Sequence, residues 1–240
     1  SARGKWIALL DADDKWLPRR LETLLTIIVD SGSSFFVADD KLLYIDTGNG
    51  LKRWGSALKI SHKLRLNSNV LDINLNYFLR YGAPALQPII PLEHINKFNL
   101  RYNESCFCCE DLEFYCHLFM TGLNLKLYAR PLYLRRLIPG SLSKQPNAYK
   151  DVLNVYERLL DISTISLADR KLLCKLYDQF RWNNEYMTPF ITALKSKKLF
   201  NVFQMILAEP RLLPQCLSRV LPSLRYRFAT WRDRKSTRLN

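Results

Sequence analysis

The chain has 240 residues, 48% of them hydrophobic, enough for one full-sized core or a core with an appendage. No apolar run reaches membrane-span length and none has the form of a secretory h-region. The net charge of +14 is uneven: from Lys195 to Asn240 eleven Lys or Arg stand against Glu209 and Asp233, and such a tail seeks phosphates on lipid or nucleic acid.

In chain order, the run Trp6 to Leu10 is short, apolar and followed by Asp11, Asp13 and Asp14. It reads as a buried strand with its charges at the C-terminal end, where open α/β sheets bind ligands. Asp11 and Asp13 are two residues apart, on one side of an extended backbone, and two hard oxygen ligands suit Mg²⁺ or Mn²⁺ bridged to phosphates. The competing reading is an acidic helix cap, with Pro18 near N1 and Asp14 or Lys15 near the cap.

Pro18 to Val29 has the 3–4 spacing of an amphipathic helix through Leu21, Leu24, Leu25 and Ile28. Phe35 to Ala38 reads as a second buried strand ending in Asp39 and Asp40, giving a βαβ unit with a right-handed crossover expected. Asp39 and Asp40 either join Asp11 and Asp13 at one sheet edge or form a solvated turn, and the turn is favoured. Leu42 to Ile45 is a further short strand and Leu51 to Asn69 a long basic loop. Ile73 to Tyr81 is helical, and Ala85 to Pro91 is a strand that its prolines place at a sheet edge.

Glu110 and Asp111 open a helix whose face is marked by Leu112, Tyr115 and Phe119. Dipole stabilisation alone accounts for acids there; a general base is the alternative. Leu123 to Tyr128 and Leu132 to Leu134 are strands around Arg130-Pro131, followed by Arg135, Arg136 and Ser141. The Cys106, Cys108, Cys109 cluster lacks zinc spacing, so all six cysteines are expected to be free thiols. His62, His94 and His117 carry no partner pattern. From Asn147 the chain reads as helical. Leu217 to Trp231 interleaves apolar residues with arginines, as in a helix lying on an anionic membrane surface, or as in a basic, partly solvated helical end.

The segment Ala2 to Glu22, with its Gly4-Lys5-Trp6-Ile7-Ala8-Leu9-Leu10-Asp11-Ala12-Asp13-Asp14 core and Pro18, closely resembles the central segment of family 2 glycosyltransferases. The later order, Asp39-Asp40, Glu110-Asp111, Arg136 and Ser141, looks most like the bacterial exopolysaccharide branch, the succinoglycan-type glucosyltransferases. The resemblance implies an α/β fold with a GT-A-like (Rossmann-related) mixed sheet, N-terminally truncated because Ser1 falls within the motif, followed by a helical C-terminal region. The expected division is 1–145 for the catalytic part, 146–231 for the helical region and 232–240 for a disordered tail, with the boundary between Pro139 and Pro146.

What the resemblance implies for function is inverting transfer from a nucleotide diphospho-sugar, a UDP-sugar for preference, to a saccharide or lipid-linked saccharide in polysaccharide biosynthesis. Asp13 would hold Mg²⁺ or Mn²⁺, with Asp11 assisting through metal, water or ribose contact. Asp111 would be the catalytic base and Glu110 would stand on the acceptor side. Arg136 matches the family's arginine and would reach the diphosphate, whereas Arg135 stands where an aromatic is usual. The expected setting is cytoplasmic and peripheral on the inner face of the membrane, with no nucleic-acid partner. The alternatives are a basic module for anionic surfaces or nucleic acid, and a catalytically incomplete transferase fragment.

Overall fold

The computed structural model describes residues 2–31, 34–48, 50–56, 69–81, 86–106, 108–137 and 148–217. The chain forms two compact units, Ser1–Lys175 and Leu176–Asn240. In the first, strands β1 (Trp6–Ala8), β2 (Lys15–Trp16), β3 (Phe35–Asp46), β4 (Leu51–Ser56), β5 (Val70–Ile73), β6 (Ile89–Pro91) and β7 (Asn124–Arg136) make one mixed sheet. Its path is β1-β6-β3-β7-β2, with β4 paired to β3 and β5 to β7. β3 and β7 run parallel, and the other pairs are antiparallel.

Alternation along β3 explains the layers. Val37 faces Leu24 and Ile28 of helix α1 (Arg20–Ser31), with Ile89 beside them. Its neighbour Phe36 points the other way and meets Phe119 of α4 (Glu110–Met120), ring centroids 5.0 Å apart. Phe78 of α2 (Leu75–Tyr81) completes that aromatic layer against Phe119 and Tyr115. Helix α3 (Leu92–Lys97) follows β6 directly. Helix α5 (Ala148–Asp161) is tied to α4 by Arg158, whose Nε and Nη2 donate to the buried Glu113 at 2.7 Å each.

Several expectations change here. β1 and β3 are separated by β6, so the first two parallel strands are not neighbours. β6 is interior despite Pro88 and Pro91, because its pairing with both β1 and β3 needs only a three-residue strand. The two strands expected around Arg130-Pro131 are one, β7, with a large bulge: Asp39 pairs with Tyr128 but Lys41 with Tyr133. Pro131 cannot donate to a ladder, and the bulge accommodates it. β3 likewise runs on through Asp39 and Asp40 to Asp46. Helix α1 starts at Arg20, two residues later than its periodicity suggested. The segment expected to be irregular after Leu51 opens with β4, and the helix expected from Ile73 begins at Leu75 after β5. The boundary expected between Pro139 and Pro146 lies outside the described residues.

Helix α6 (Leu167–Trp182) begins in the first unit and ends in the second. A π-helical turn (Asn183–Met187), α7 (Thr188–Lys195) and α8 (Leu199–Ala208) follow. Met187, Phe190, Ala193, Val202 and Leu212 form that unit's core. The basic helix expected over Leu217 to Trp231 lies outside the described residues beyond Leu217. Among the described residues no helix is long and apolar enough to cross a membrane. All six cysteines are free thiols.

Candidate active site

β1 ends at Ala8, and the chain turns through Leu9 to Asp14 before β2. The backbone N–H of Asp14 donates to the carbonyl of Asp11 at 3.1 Å, closing this turn. Oxygens of Asp11, Asp13 and Asp14 thereby come within 4.8 Å of one another. Asp11 and Asp13 are exposed and Asp14 is 9% exposed.

The turn is held from three sides. Gln87 Nε2 donates to Asp11 Oδ2 at 2.6 Å, and the Gln87 carbonyl accepts from Arg20 Nη2 at 2.5 Å. The Asp11 N–H donates to Tyr133 Oη at 3.1 Å. Asp14 Oδ1 accepts the Arg136 N–H at 2.8 Å, so it joins the turn to β7 and does not cap α1. Burial pushes the Asp14 carboxyl up against these hydrogen bonds, with help from Asp13 and Asp11. Three hard carboxylate oxygens, two of them on exposed side chains, fit Mg²⁺ or Mn²⁺, which take one or two carboxylates and fill the remaining positions with phosphate and water.

Asp111 stands in the first turn of α4, after Cys109 in the left-handed region at φ 67°. Its Oδ1 accepts the N–H of Leu112 at 2.7 Å. Burial pushes its carboxyl up to about 6, and Glu110 adds to the rise, against the Leu112 hydrogen bond and the charges of Lys41 and Arg135. A carboxylate with that affinity for protons is a competent general base near neutral pH.

Lys41 lies next to these groups in β3 and carries no signal of its own in the sequence. It is 2% exposed, and its ammonium lies 4.8 Å from the ring centroid of Tyr133. Burial and Arg135 draw it down to about 8, opposed by Asp11, Asp14 and Asp111. Tyr133 also lies 5.1 Å from the Arg20 guanidinium, so its ring meets two cations while its hydroxyl serves the acidic turn. The only sequence signal for Lys41 was its place after two acids; Tyr133 and Gln87 gave none.

The strand register separates the two arginines. Lys41 pairs with Tyr133 and Leu43 with Arg135, so Lys41, Tyr133 and Arg135 share one face. Arg136 pairs with Tyr44 on the other face, where its Nη2 donates to Asp46 Oδ2 at 2.8 Å. Thus Asp11, Asp13 and Asp14 come together in one turn, Lys41 and Arg135 share a sheet face, and the Arg136 guanidinium pairs with Asp46 instead. Glu110 is half-buried beside Asp111.

Asp39 and Asp40 are neither a solvated turn nor part of this cluster. Each is 1% exposed. Asp39 Oδ1 accepts from Arg20 Nε at 2.9 Å and its Oδ2 from the Leu132 N–H at 2.7 Å, while Asp40 Oδ1 accepts the Lys41 N–H at 2.7 Å.

No family model matches the chain. It is 24% identical over 229 residues, 92% of its length, to the succinoglycan biosynthesis protein ExoU of Rhizobium meliloti, and spans 65% of that protein. It is similar in structure to S. aureus TarS 1–349 in complex with UDP-GlcNAc, with a TM-score of 0.53 and 12% identity, over 85% of this chain and 56% of that one. A second structure of TarS 1–349 gives a TM-score of 0.51 and 11% identity over 79% and 50% of the respective chains. The chain therefore has a mixed α/β fold similar to that of the TarS glycosyltransferase, across about half of the TarS chain.

Proposed function

We propose that this chain carries the acceptor side and the diphosphate side of an inverting glycosyltransferase that uses a UDP-sugar. The observation that carries the reading is the turn after β1, where carboxylate oxygens of Asp11, Asp13 and Asp14 lie within 4.8 Å of one another. The succinoglycan biosynthesis name of ExoU and the UDP-GlcNAc held by TarS support a nucleotide-sugar donor and polysaccharide synthesis.

Asp13 and Asp11 would hold Mg²⁺ or Mn²⁺, which when bound supplies positive charge against the leaving diphosphate. Asp111 takes the proton of an acceptor hydroxyl as that oxygen bonds to the anomeric carbon. The bond from that carbon to the β-phosphate oxygen breaks, its electron pair leaves with the diphosphate, and attack from the opposite face inverts the centre. Arg135, on the Lys41 face, is a better candidate for the diphosphate than Arg136, whose guanidinium pairs with Asp46.

Calorimetric titration with UDP, with and without Mn²⁺, tests the reading. Mn²⁺-dependent binding that Asp13→Ala abolishes is expected. UDP binding indifferent to Mn²⁺ and to Asp13→Ala overturns the metal role.

The acceptor is proposed to be a saccharide or lipid-linked saccharide at an anionic membrane. On α8, Val202 is buried while Leu199, Phe200, Phe203 and Leu207 are 59–71% exposed along the adjoining arc, just after Lys195, Lys197 and Lys198. An exposed apolar arc with basic flanks suits the interface of an anionic bilayer. Sedimentation with phosphatidylglycerol-containing vesicles should fall on substituting Phe200→Glu with Phe203→Glu; unchanged sedimentation, or none with the parent protein, removes the membrane from the proposal.

A further inference from the structure

Gln87 is a half-buried polar residue whose backbone is fastened like that of a core residue. The Leu86 carbonyl accepts the Tyr115 hydroxyl at 2.7 Å, the Gln87 carbonyl accepts Arg20 Nη2 at 2.5 Å, and the Pro88 carbonyl accepts the Leu9 N–H at 3.2 Å. Three consecutive carbonyls are thus held by α4, by α1 and by the chain leaving β1. Tyr115 and Arg20 are each 1% exposed, and Arg20 Nε is in turn bonded to Asp39 at 2.9 Å. A side chain rooted in so fixed a backbone delivers its amide to one place. That place is Asp11 Oδ2, 2.6 Å from Gln87 Nε2.

The contact makes the two oxygens of Asp11 unequal. Oδ2 is held by the Gln87 amide. Bidentate ligation needs both oxygens turned toward one ion, so it would have to break or bend this bond. Divalent cations differ in how much that matters. Mg²⁺ demands near-ideal octahedral geometry at about 2.0–2.1 Å, and Mn²⁺ suits the same hard oxygens; one oxygen from each carboxylate serves them. Ca²⁺ is larger, takes more oxygens and readily uses carboxylates through both.

We propose that Gln87 is a positioning residue that sets metal preference: by holding Asp11 Oδ2 it fixes Asp11 as a one-oxygen ligand, and so favours a small octahedral cation over Ca²⁺. The proposal rests on Asp11 and Asp13 holding the divalent cation of the transfer reaction. Gln87 acts through Asp11, in the way that partners outside a ligand shell orient the ligands within it. Its own orientation comes from the Arg20–Asp39 ion pair, so the sealed acids of β3 and the open acids after β1 belong to one hydrogen-bonded chain.

The test is calorimetric titration of the full chain with Mn²⁺ and with Ca²⁺, each in the presence of UDP, for the parent, Gln87→Met and Asp13→Ala. Met matches Gln in length and lacks the donor, and the Gln87 backbone carbonyl stays available to Arg20. The parent should bind Mn²⁺ more tightly than Ca²⁺. Gln87→Met should weaken Mn²⁺ binding about tenfold, the lower end of what losing such an outer partner costs. Ca²⁺ binding should hold or tighten, so the preference for Mn²⁺ shrinks by about tenfold or more. An equal loss for both ions is what a merely structural role gives, and it overturns the proposal, as does unchanged Mn²⁺ binding. An unfolded fraction lowers the number of sites for both ions alike and leaves the ratio of affinities intact, so the readout does not depend on how fully Gln87→Met folds.

The parent supplies a measurement that needs no variant of Gln87: equal affinity for Mn²⁺ and Ca²⁺ overturns the proposal by itself. Asp13→Ala separates the two levels of the argument. If it leaves Mn²⁺ binding intact, or if the parent binds neither ion, the metal role of the turn falls and the proposal with it. If it abolishes Mn²⁺ binding while Gln87→Met keeps the parent's preference, only the role of Gln87 falls.

Discussion

Two strands of this protein reach acids after an apolar run, and they do opposite things with them. After β1 the acids come at a turn, where Asp11 and Asp13 face solvent and share one small space. Within β3 the strand does not stop, and Asp39 and Asp40 are sealed into the sheet. What separates them is the supply of partners. Asp39 finds a guanidinium and a backbone N–H on its two oxygens, which leaves little capacity for a ligand. Asp11 and Asp14 are oriented by Gln87 and the Arg136 N–H, and Asp11 and Asp13 keep exposed oxygens. A carboxylate closed by a direct ion pair is structural; a cluster with exposed oxygens can take a metal and its phosphates.

The contrast is broken most sharply at Asp39. Asp39→Ala leaves the Arg20 guanidinium buried without its counter-charge, and should cost roughly 3–5 kcal/mol in urea unfolding. A loss below about 1 kcal/mol would mean that water reaches Arg20 and that the two acidic groups differ less than their burial implies.

Asp111 gives an intermediate effect with the opposite sign. Its folded carboxyl, at about 6, lies above the ordinary value of 3.8, so the native state binds the extra proton between these values. Stability therefore falls as pH rises through that window, and the cost is complete above it. Asp111→Asn should abolish transfer yet gain roughly 2–3 kcal/mol at pH 7.5, with the gain vanishing below pH 4. Thermal unfolding at both pH values checks the sign, and a destabilised variant at pH 7.5 would contradict it.

Asp13→Ala is the smallest perturbation of the fold. Asp13 is exposed, and its removal should change stability by no more than about 0.5 kcal/mol while removing Mn²⁺-dependent UDP binding.

The legible parts of the chain were those whose signal is local. The strand at Trp6–Ala8, Leu24 and Ile28 on the buried face of α1, and Glu110 and Asp111 at the head of α4 declare themselves within a few residues, whereas the expected burial of the run to Leu10 and of Leu21 and Leu25 does not hold: Leu10, Leu21 and Leu25 are exposed. The fate of Asp39 did not, because its partner Arg20 sits at the far end of α1 and Leu132 lies 93 positions away. The interior place of β6 was hidden by its prolines, whose missing donors are tolerated in so short a strand. The burial of Lys41 was hidden because the Tyr133 ring its ammonium meets belongs to β7, far along the sequence. The distinction between Arg135 and Arg136 depended on the register of β7 after its bulge, and a shift of one residue exchanges their faces.

The Asp39 carboxylate fastens the first residue of α1 and the point where β7 resumes after its bulge. Among descendants of this gene, neither Arg20 nor Asp39 can drift alone, since either single step strands a charge in the sheet. The two positions should thus change as a pair, through a brief unstable ancestor or not at all, whereas Asp13 should vary only when the chemistry itself is given up.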